Sequence, residues 1–481
     1  MSNPRNILQN MFREQHRYAN FGNMLIQIRA EGFRCHSGTT IDIESPITAL
    51  SGLNGTGKST LLQLSAIGYK NVGDRRYFVK DFLVVGSLDP NPFDEFANVR
   101  YRYWKDDRSF QTVTISHNSG TRKWSGYQRR PERHITFAGA GPYLQRIENR
   151  DFVVRYAQGI TVESTSLAEG SSCVWTSRIL SRHYDEVNSN VVRYGTRTGR
   201  VASVQRAGIC YSEAHMGCGE GRVHFLVDTL ESAPDKSLIL IEEPEASLHP
   251  SAEYEFGQYL VDVCIRKRHQ IILATHSEYI LQSLPQASRM HFDLNSSGLQ
   301  LTPGLTARQV KSLLTQGRSK ALTVLVEDKR AKAILVEIVR RVDTQFLQTI
   351  DICVCGGSAN IAQTVRTLNN SSLPMAAVRD GDQPEIPSEN IFKLPGNEPP
   401  EKEIFKQIVV REYISETYGI SWDDFVATLP GIHHHEWLAR LAQRIDVDAE
   451  MLLGEIARVY ASAITESEAV TLINLLKETS Q

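Results

Sequence analysis

Gly52-Leu53-Asn54-Gly55-Thr56-Gly57-Lys58-Ser59 decides how the rest of the chain is read. Residues 47–50 before it are an apolar run, and Ser59-Thr60-Leu61-Leu62-Gln63-Leu64-Ser65-Ala66 after it reads as a helix. Strand, glycine-rich turn and helix in that order make a phosphate-binding loop. The glycines let successive N–H groups converge on phosphate oxygens, and the helix N-terminus adds positive potential. Lys58 should meet the β and γ phosphates of a nucleotide, and the Ser59 hydroxyl should hold Mg²⁺, a hard cation that takes oxygen ligands. Gly52, Asn54, Gly55, Gly57 and Thr60 complete the expected nucleotide contacts.

Further along, Leu238-Ile239-Leu240-Ile241 runs into Glu242-Glu243. This places two carboxylates at the C-terminal end of a buried strand, where ligands gather in open α/β sheets. Glu242 is read as orienting the Mg²⁺ shell, and Glu243 as the base that positions and polarises the attacking water, since phosphoryl transfer is catalysed mainly by positioning and charge stabilisation.

The 481 residues allow two or three domains on a prior of about 150 residues each. Hydrophobic residues at 41% and charged residues at 22% are ordinary globular values, and a formal net charge of -2 exerts no global pull on polyanions. Contact with DNA or RNA would have to come from local patches such as 129–134 and 266–269, which read more simply as solvated faces. The seven cysteines are scattered; Cys353 and Cys355 sit beside apolar positions and read as a buried strand rather than a metal site. The N-terminus has no basic-then-apolar leader and no run of 18 apolar residues occurs, so a cytoplasmic, reduced protein without membrane contact is expected.

Apolar runs alternate with helices through residues 221–275, the pattern of a parallel sheet covered on both faces. Residues 1–300 are therefore taken as one head, with 70–205 as a lateral insertion. After a connection, a second alternation over 320–402 reads as a smaller α/β unit, followed by a helical tail, 403–481. The tail carries Leu438, Leu441, Ile445, Leu452, Ile456 and Val459 at helical spacing, which suits either a core face or a partner-docking face. His433-His434-His435-Glu436 could bind metal, but consecutive residues do not share a helix face, and an exposed turn is the simpler reading.

Glu242-Glu243-Pro244-Glu245-Ala246-Ser247-Leu248-His249-Pro250 and Ala274-Thr275-His276-Ser277 resemble the Walker B, D-loop and switch histidine of ABC-type P-loop ATPases, particularly the OLD-nuclease group. His215-Met216-Gly217-Cys218-Gly219-Glu220 resembles their signature motif, with Gly217 and Cys218 in place of the usual serine and first glycine. The resemblance implies an α/β ATPase head using ATP and Mg²⁺, with His276 at the γ-phosphate. It also implies a homodimer or larger oligomer in which Gly217, Gly219 and Glu220 of one subunit close over nucleotide held by the other.

Glu327, following Leu325-Val326, and Asp380-Gly381-Asp382, following Val378-Arg379, are similar to the metal-binding elements of a TOPRIM domain. Asp328 stands where a glycine is usual, and Ala331 where OLD-type nucleases commonly carry an acid. Leu394-Pro395-Gly396-Asn397-Glu398-Pro399-Pro400-Glu401 resembles the ATPase subunits of Septu and retron-linked anti-phage systems, which implies a separate HNH-type nuclease as partner. A self-contained TOPRIM nuclease and a DNA-repair ATPase without nuclease activity are the alternatives.

Overall fold

The computed structural model describes residues 3–73, 75–139, 151–168, 170–296, 298–368 and 374–480. The chain forms two compact units, Met1–Ala307 and Arg308–Gln481.

In the first unit the apolar runs become the strands β1 (Ile47–Gly52), β2 (Ile135–Ala138), β3 (Leu238–Glu242), β4 (Gln270–Ala274), β5 (Arg289–Asn295) and β6 (Gly298–Pro303). They form one sheet in the order β6-β5-β1-β4-β3-β2, parallel except for the β5–β6 hairpin. Every residue of β1 and β4 is buried, as expected where both sheet faces are covered. Register pairs Glu242 with Ala274 and Ala274 with Leu50, so the C-terminal ends of β3, β4 and β1 lie side by side.

The helices α1 (Lys58–Ile67), α3 (Pro250–Lys267) and α4 (Glu278–Ser283) follow these ends, and α2 (Cys218–Ser232) precedes β3. Helix α2 starts at Cys218 rather than at 221, with Gly217 as its extended N-cap. Helix α3 has Pro250 in its first turn, where a missing N–H costs nothing, and His249 as N-cap, accepting from Ser251 N.

Residues 70–205 divide among several sheets. Strands Asn98–Trp104, Phe110–Asn118 and Lys123–Ser125 extend the antiparallel pair Leu25–Phe33 and His36–Asp42. Ile135–Ala138 is the edge of the central sheet, and Thr161–Leu167, Glu186–Tyr194 and Arg197–Arg206 join Ile209–Ser212 in a separate antiparallel sheet.

The second unit has the parallel sheet β8-β7-β9-β10, with β7 (Leu322–Val326), β8 (Ile350–Val354), β9 (Met375–Arg379) and β10 (Ile391–Lys393). Cys353 lies on the edge strand β8 and Cys355 one residue beyond its end; both are half-buried rather than fully enclosed. Helix α5 (Lys329–Val342) opens on Asp328, whose carboxylate accepts from Arg330 N and Ala331 N at 2.8 Å each. Helices of this unit include α6 (Ser358–Leu368), α7 (Trp437–Ile445), α8 (Ala449–Ala463) and α9 (Glu466–Thr479). Leu441, Leu452, Ile456, Leu472 and Ile473 from the last three helices share one core with Val324, Leu335 and Ile338. Leu438, Ile445 and Val459 pack against its margin. Among the described residues no helix is long and apolar enough to cross a membrane.

Candidate nucleotide cleft

The glycine-rich loop leaves β1 at Gly52, whose φ of +145° and position against Phe292 explain its identity: a Cβ there would lie 2.4 Å from the Phe292 carbonyl oxygen. Gly57, at φ +88°, is the N-cap of α1, and a Cβ on it would meet His36 Nε2 at 2.5 Å and Cys35 Sγ at 2.6 Å. The loop is held by backbone conformations and approaches that a side chain would obstruct.

Asn54, Gly55, Gly57, Lys58, Ser59 and Thr60 line a cleft of about 270 Å³ together with Glu242, Glu243, Ala274 and His276. Most of the expected nucleotide residues are thus assembled from the ends of β1, β3 and β4. Arg34 and Cys35, on the turn between Leu25–Phe33 and His36–Asp42, also line it. Nothing in the local sequence marked them, because the turn belongs to a different sheet and meets the loop only by tertiary packing, with His36 Nε2 3.1 Å from the Gly57 carbonyl oxygen.

Lys58 Nζ donates to the carbonyls of Gly52 at 2.7 Å and Leu53 at 2.8 Å. Burial holds this ammonium below the usual lysine range, against the opposing pull of Glu243, Glu245 and Glu242. Glu243 adopts φ +46°, uncommon for a residue with a side chain, and its N–H donates to the Ala274 carbonyl at 2.9 Å. The turn after β3 is therefore fixed to the end of β4, with both carboxylates at the cleft.

Two charged residues behind the cleft, the buried Arg222 and the half-buried Glu245, escape a reading by motif. Arg222, 1% exposed on α2, donates from Nη2 to the carbonyls of Glu242 at 3.0 Å and Glu243 at 3.1 Å. Its signal is an arginine in helical register with the buried Leu226 and Leu230. Glu245 accepts from Thr275 Oγ1 at 2.9 Å and from the His276 N–H at 2.5 Å, and burial pushes its carboxyl above the ordinary range. The His276 ring is held below the ordinary histidine range by burial and then by Lys58, with Glu243 opposing. A neutral imidazole can donate one hydrogen bond to an anion without carrying a charge of its own.

Gly217, Gly219 and Glu220 are not among the residues lining this cleft. Gly219 packs so closely on the α3 approach that a Cβ would lie 2.4 Å from the Ser247 carbonyl oxygen. Glu220 accepts from Tyr184 Oη at 2.6 Å and Tyr211 Oη at 2.7 Å.

In the second unit, Glu327 Oε1 accepts from the Asp380 N–H at 3.2 Å. Burial, then the charges of Glu327, Asp328, Glu401 and Asp382, push the Asp380 carboxyl up to about 8, and its Oδ1 is buried without a hydrogen-bond partner. Among the described residues, however, the group of three potential ligand side chains with ligand atoms within 4.8 Å of one another is His433, His434 and His435, not Glu327, Asp380 and Asp382. Ala331 is fully buried in the core, so the position where an acid is common in the resembled family faces apolar side chains.

A family model described as "AAA domain" matches residues 27–136, and one described as "AAA domain, putative AbiEii toxin, Type IV TA system" matches residues 189–282. The Old nuclease of Escherichia phage P2 is 24% identical over 219 residues, which are 42% of this chain and 35% of that protein. The chain thus spans about a third of the length of the curated relative it matches. A crystal structure of an SMC head bound to the C-winged helix domain of ScpA is 14% identical with a TM-score of 0.39, covering 58% of this chain and 96% of that one. The SMC head domain from Thermotoga maritima is 14% identical at a TM-score of 0.35, covering 58% and 98%. The two matched segments contain the loop at 52–59 and the carboxylates at 242–243, and the chain carries AAA-type ATPase domains distantly related to the Old nuclease.

Proposed function

We propose that this chain binds and hydrolyses ATP in the cleft at the ends of β1, β3 and β4, in a homodimer or larger oligomer whose nucleotide state controls a partner HNH-type nuclease in anti-phage defence. The observation that carries the reading is the meeting of Lys58, Ser59, Glu242, Glu243 and His276 in one cleft. The Ser59 hydroxyl, exposed at the start of α1, and the Glu242 carboxylate are hard oxygen donors that fit Mg²⁺. When bound, that ion neutralises charge on the β and γ phosphates.

The chain's own residues do the rest. Lys58 transfers its hydrogen bonds from the loop carbonyls to phosphate oxygens, and the N–H groups at the start of α1 add donors. Glu243 orients the attacking water, held in place by its N–H bond to Ala274. The neutral His276 donates to the γ-phosphate, its backbone anchored by Glu245. Gly217 and Gly219 of a second copy, lying outside the cleft of their own chain, offer the α2 N-terminus to the nucleotide from the opposite side.

A mixed-dimer experiment tests the shared site. Lys58→Ala inactivates the loop. Gly217→Glu places a negative charge at the α2 N-cap, at a position with open space and ordinary φ. Each variant alone should be inactive, and a mixture should recover ATPase activity from the one intact composite site per dimer. Co-purification with an HNH-type nuclease encoded beside the gene tests the partner.

A second reading, a nuclease acting through Glu327, Asp380 and Asp382, is favoured by the partnerless buried oxygen of Asp380. Carboxylates at strand ends suit Mg²⁺ or Mn²⁺. Plasmid cleavage abolished by Asp380→Ala would carry it; weak cutting unchanged by that substitution is the expected result.

A further inference from the structure

The turn before α7 carries three imidazoles in a row. His433, His434 and His435 have ring centroids 4.0, 4.4 and 4.5 Å apart, and one ligand nitrogen of each lies within 4.8 Å of the others. Their spacing in sequence gives no shared helix face, but the chain is folded here into a single 3-10 turn, His434–Glu436, which gathers the rings.

The turn is also held from behind. Glu401, only 6% exposed, accepts from Arg330 Nη1 at 2.8 Å and meets His435 Nδ1. Arg330 Nη2 donates to the His435 carbonyl at 2.6 Å, so side chain and backbone of His435 are both fixed. With Nδ1 engaged by a buried carboxylate, Nε2 is the nitrogen left to bind a ligand. Metal-bound histidines are oriented in this way, the carboxylate setting the tautomer and raising the basicity of the distal nitrogen.

We propose that His433, His434 and His435 bind one divalent transition-metal ion of the Zn²⁺ class, with Glu401 as the residue that orients His435. An all-nitrogen donor set disfavours Mg²⁺ and Ca²⁺ and suits Zn²⁺, Co²⁺, Ni²⁺ or Cu²⁺. Nitrogens bound to a tetrahedral ion at about 2.0–2.1 Å stand about 3.3 Å apart, so rotation of the His433 and His434 rings toward His435, which Glu401 holds in place, closes the set. The fourth position is left to solvent or to a group from another molecule. The ion ties the turn before α7 to the 394–401 segment through Glu401.

The test uses tag-free full-length protein, stripped with chelator and titrated with Co²⁺ and then Zn²⁺. One Co²⁺ per chain, with a visible d–d band that Zn²⁺ abolishes, is expected. His434→Ala and His435→Ala should each weaken binding more than tenfold, and Glu401→Gln by about 10- to 100-fold with all three imidazoles kept. Sub-stoichiometric uptake, or unchanged affinity in a triple His433→Asn, His434→Asn, His435→Asn variant, overturns the site. A folded Glu401→Gln protein that binds as tightly as the parent shows a loose histidine run rather than a built site, and overturns it as well. If Glu401→Gln does not fold, His435→Asn decides, since that side chain is exposed and its loss must weaken binding.

Discussion

Each unit places carboxylates at the C-terminal ends of parallel strands, and the two clusters are balanced differently. In the nucleotide cleft, Glu242, Glu243 and Glu245 stand opposite Lys58, and the α1 N-terminus adds positive potential. Around Asp380, the four acids Glu327, Asp328, Glu401 and Asp382 all act in the same direction. The first cluster sets a cation and a helix N-terminus beside its acids, where a polyanion can be received. The second relieves its repulsion by keeping a proton on Asp380 near neutral pH. Similar strand-end chemistry therefore sets acids against a lysine in one unit and acids against one another in the other.

The largest expected effect removes the scaffold of the second cluster. Ending the chain at residue 403 deletes Leu441, Leu452, Ile456 and Leu472 from the core shared with β7 and α5. Losing even one such side chain costs about 2–5 kcal/mol, against a total stability of about 5–15 kcal/mol. The truncated protein should aggregate, as read by soluble yield and size-exclusion chromatography. A monodisperse product would mean the tail is a docking element and the acidic cluster stands without it.

Within the compensated cluster, Glu243→Gln should retain ATP binding while lowering kcat by about 10²- to 10⁴-fold, the range for loss of a general base. Parental turnover in this variant would remove Glu243 from its assigned role. Glu245→Gln sharpens the same point at smaller scale. It keeps the shape but weakens the acceptor for Thr275 Oγ1 and the His276 N–H, so kcat should fall by about 10- to 100-fold with KM little changed. An equal rise in KM would place Glu245 in binding instead.

The smallest effect belongs to Asp380. With its carboxyl pushed up to about 8, the folded state keeps a proton that the unfolded chain releases in the ordinary carboxylate range. Its stabilising contribution is complete below the unfolded pKa and is lost as pH rises through about 8. Asp380→Asn should therefore match the parent in melting temperature at pH 4 and exceed it by a few degrees at pH 8.5, and Mg²⁺ should narrow the gap. Parallel pH profiles for the two proteins would show that Asp380 is not the titrating group.

The nucleotide cleft was legible where short segments carry their own geometry. Residues 52–59 and 242–243 are each a strand end with its following turn, and β4 brings His276 beside them by simple parallel pairing. Arg222 and Glu245 were not legible by motif, because their work is done through backbone groups that only tertiary packing brings near. Residues 70–205 resisted reading for a different reason. The strand Thr161–Leu167 is exposed at every position, so no alternation of apolar and polar residues marks it. In the tail the helical spacing was visible, but a periodic apolar face does not name the surface it meets; here that surface is chiefly helix α5 of its own unit.

Arg222 has one further consequence. It fastens the helix that begins at the signature segment to the backbone of both Walker B glutamates of the same chain. In the proposed two-site dimer, the helix tip facing one nucleotide would thus be mechanically joined to the strand that carries Glu242 and Glu243 at the other site. If the chain pairs as proposed above, a change at one γ-phosphate would alter the geometry of hydrolysis across the dimer axis, and the pair would fire cooperatively, with a Hill coefficient above one that Arg222→Gln brings toward unity.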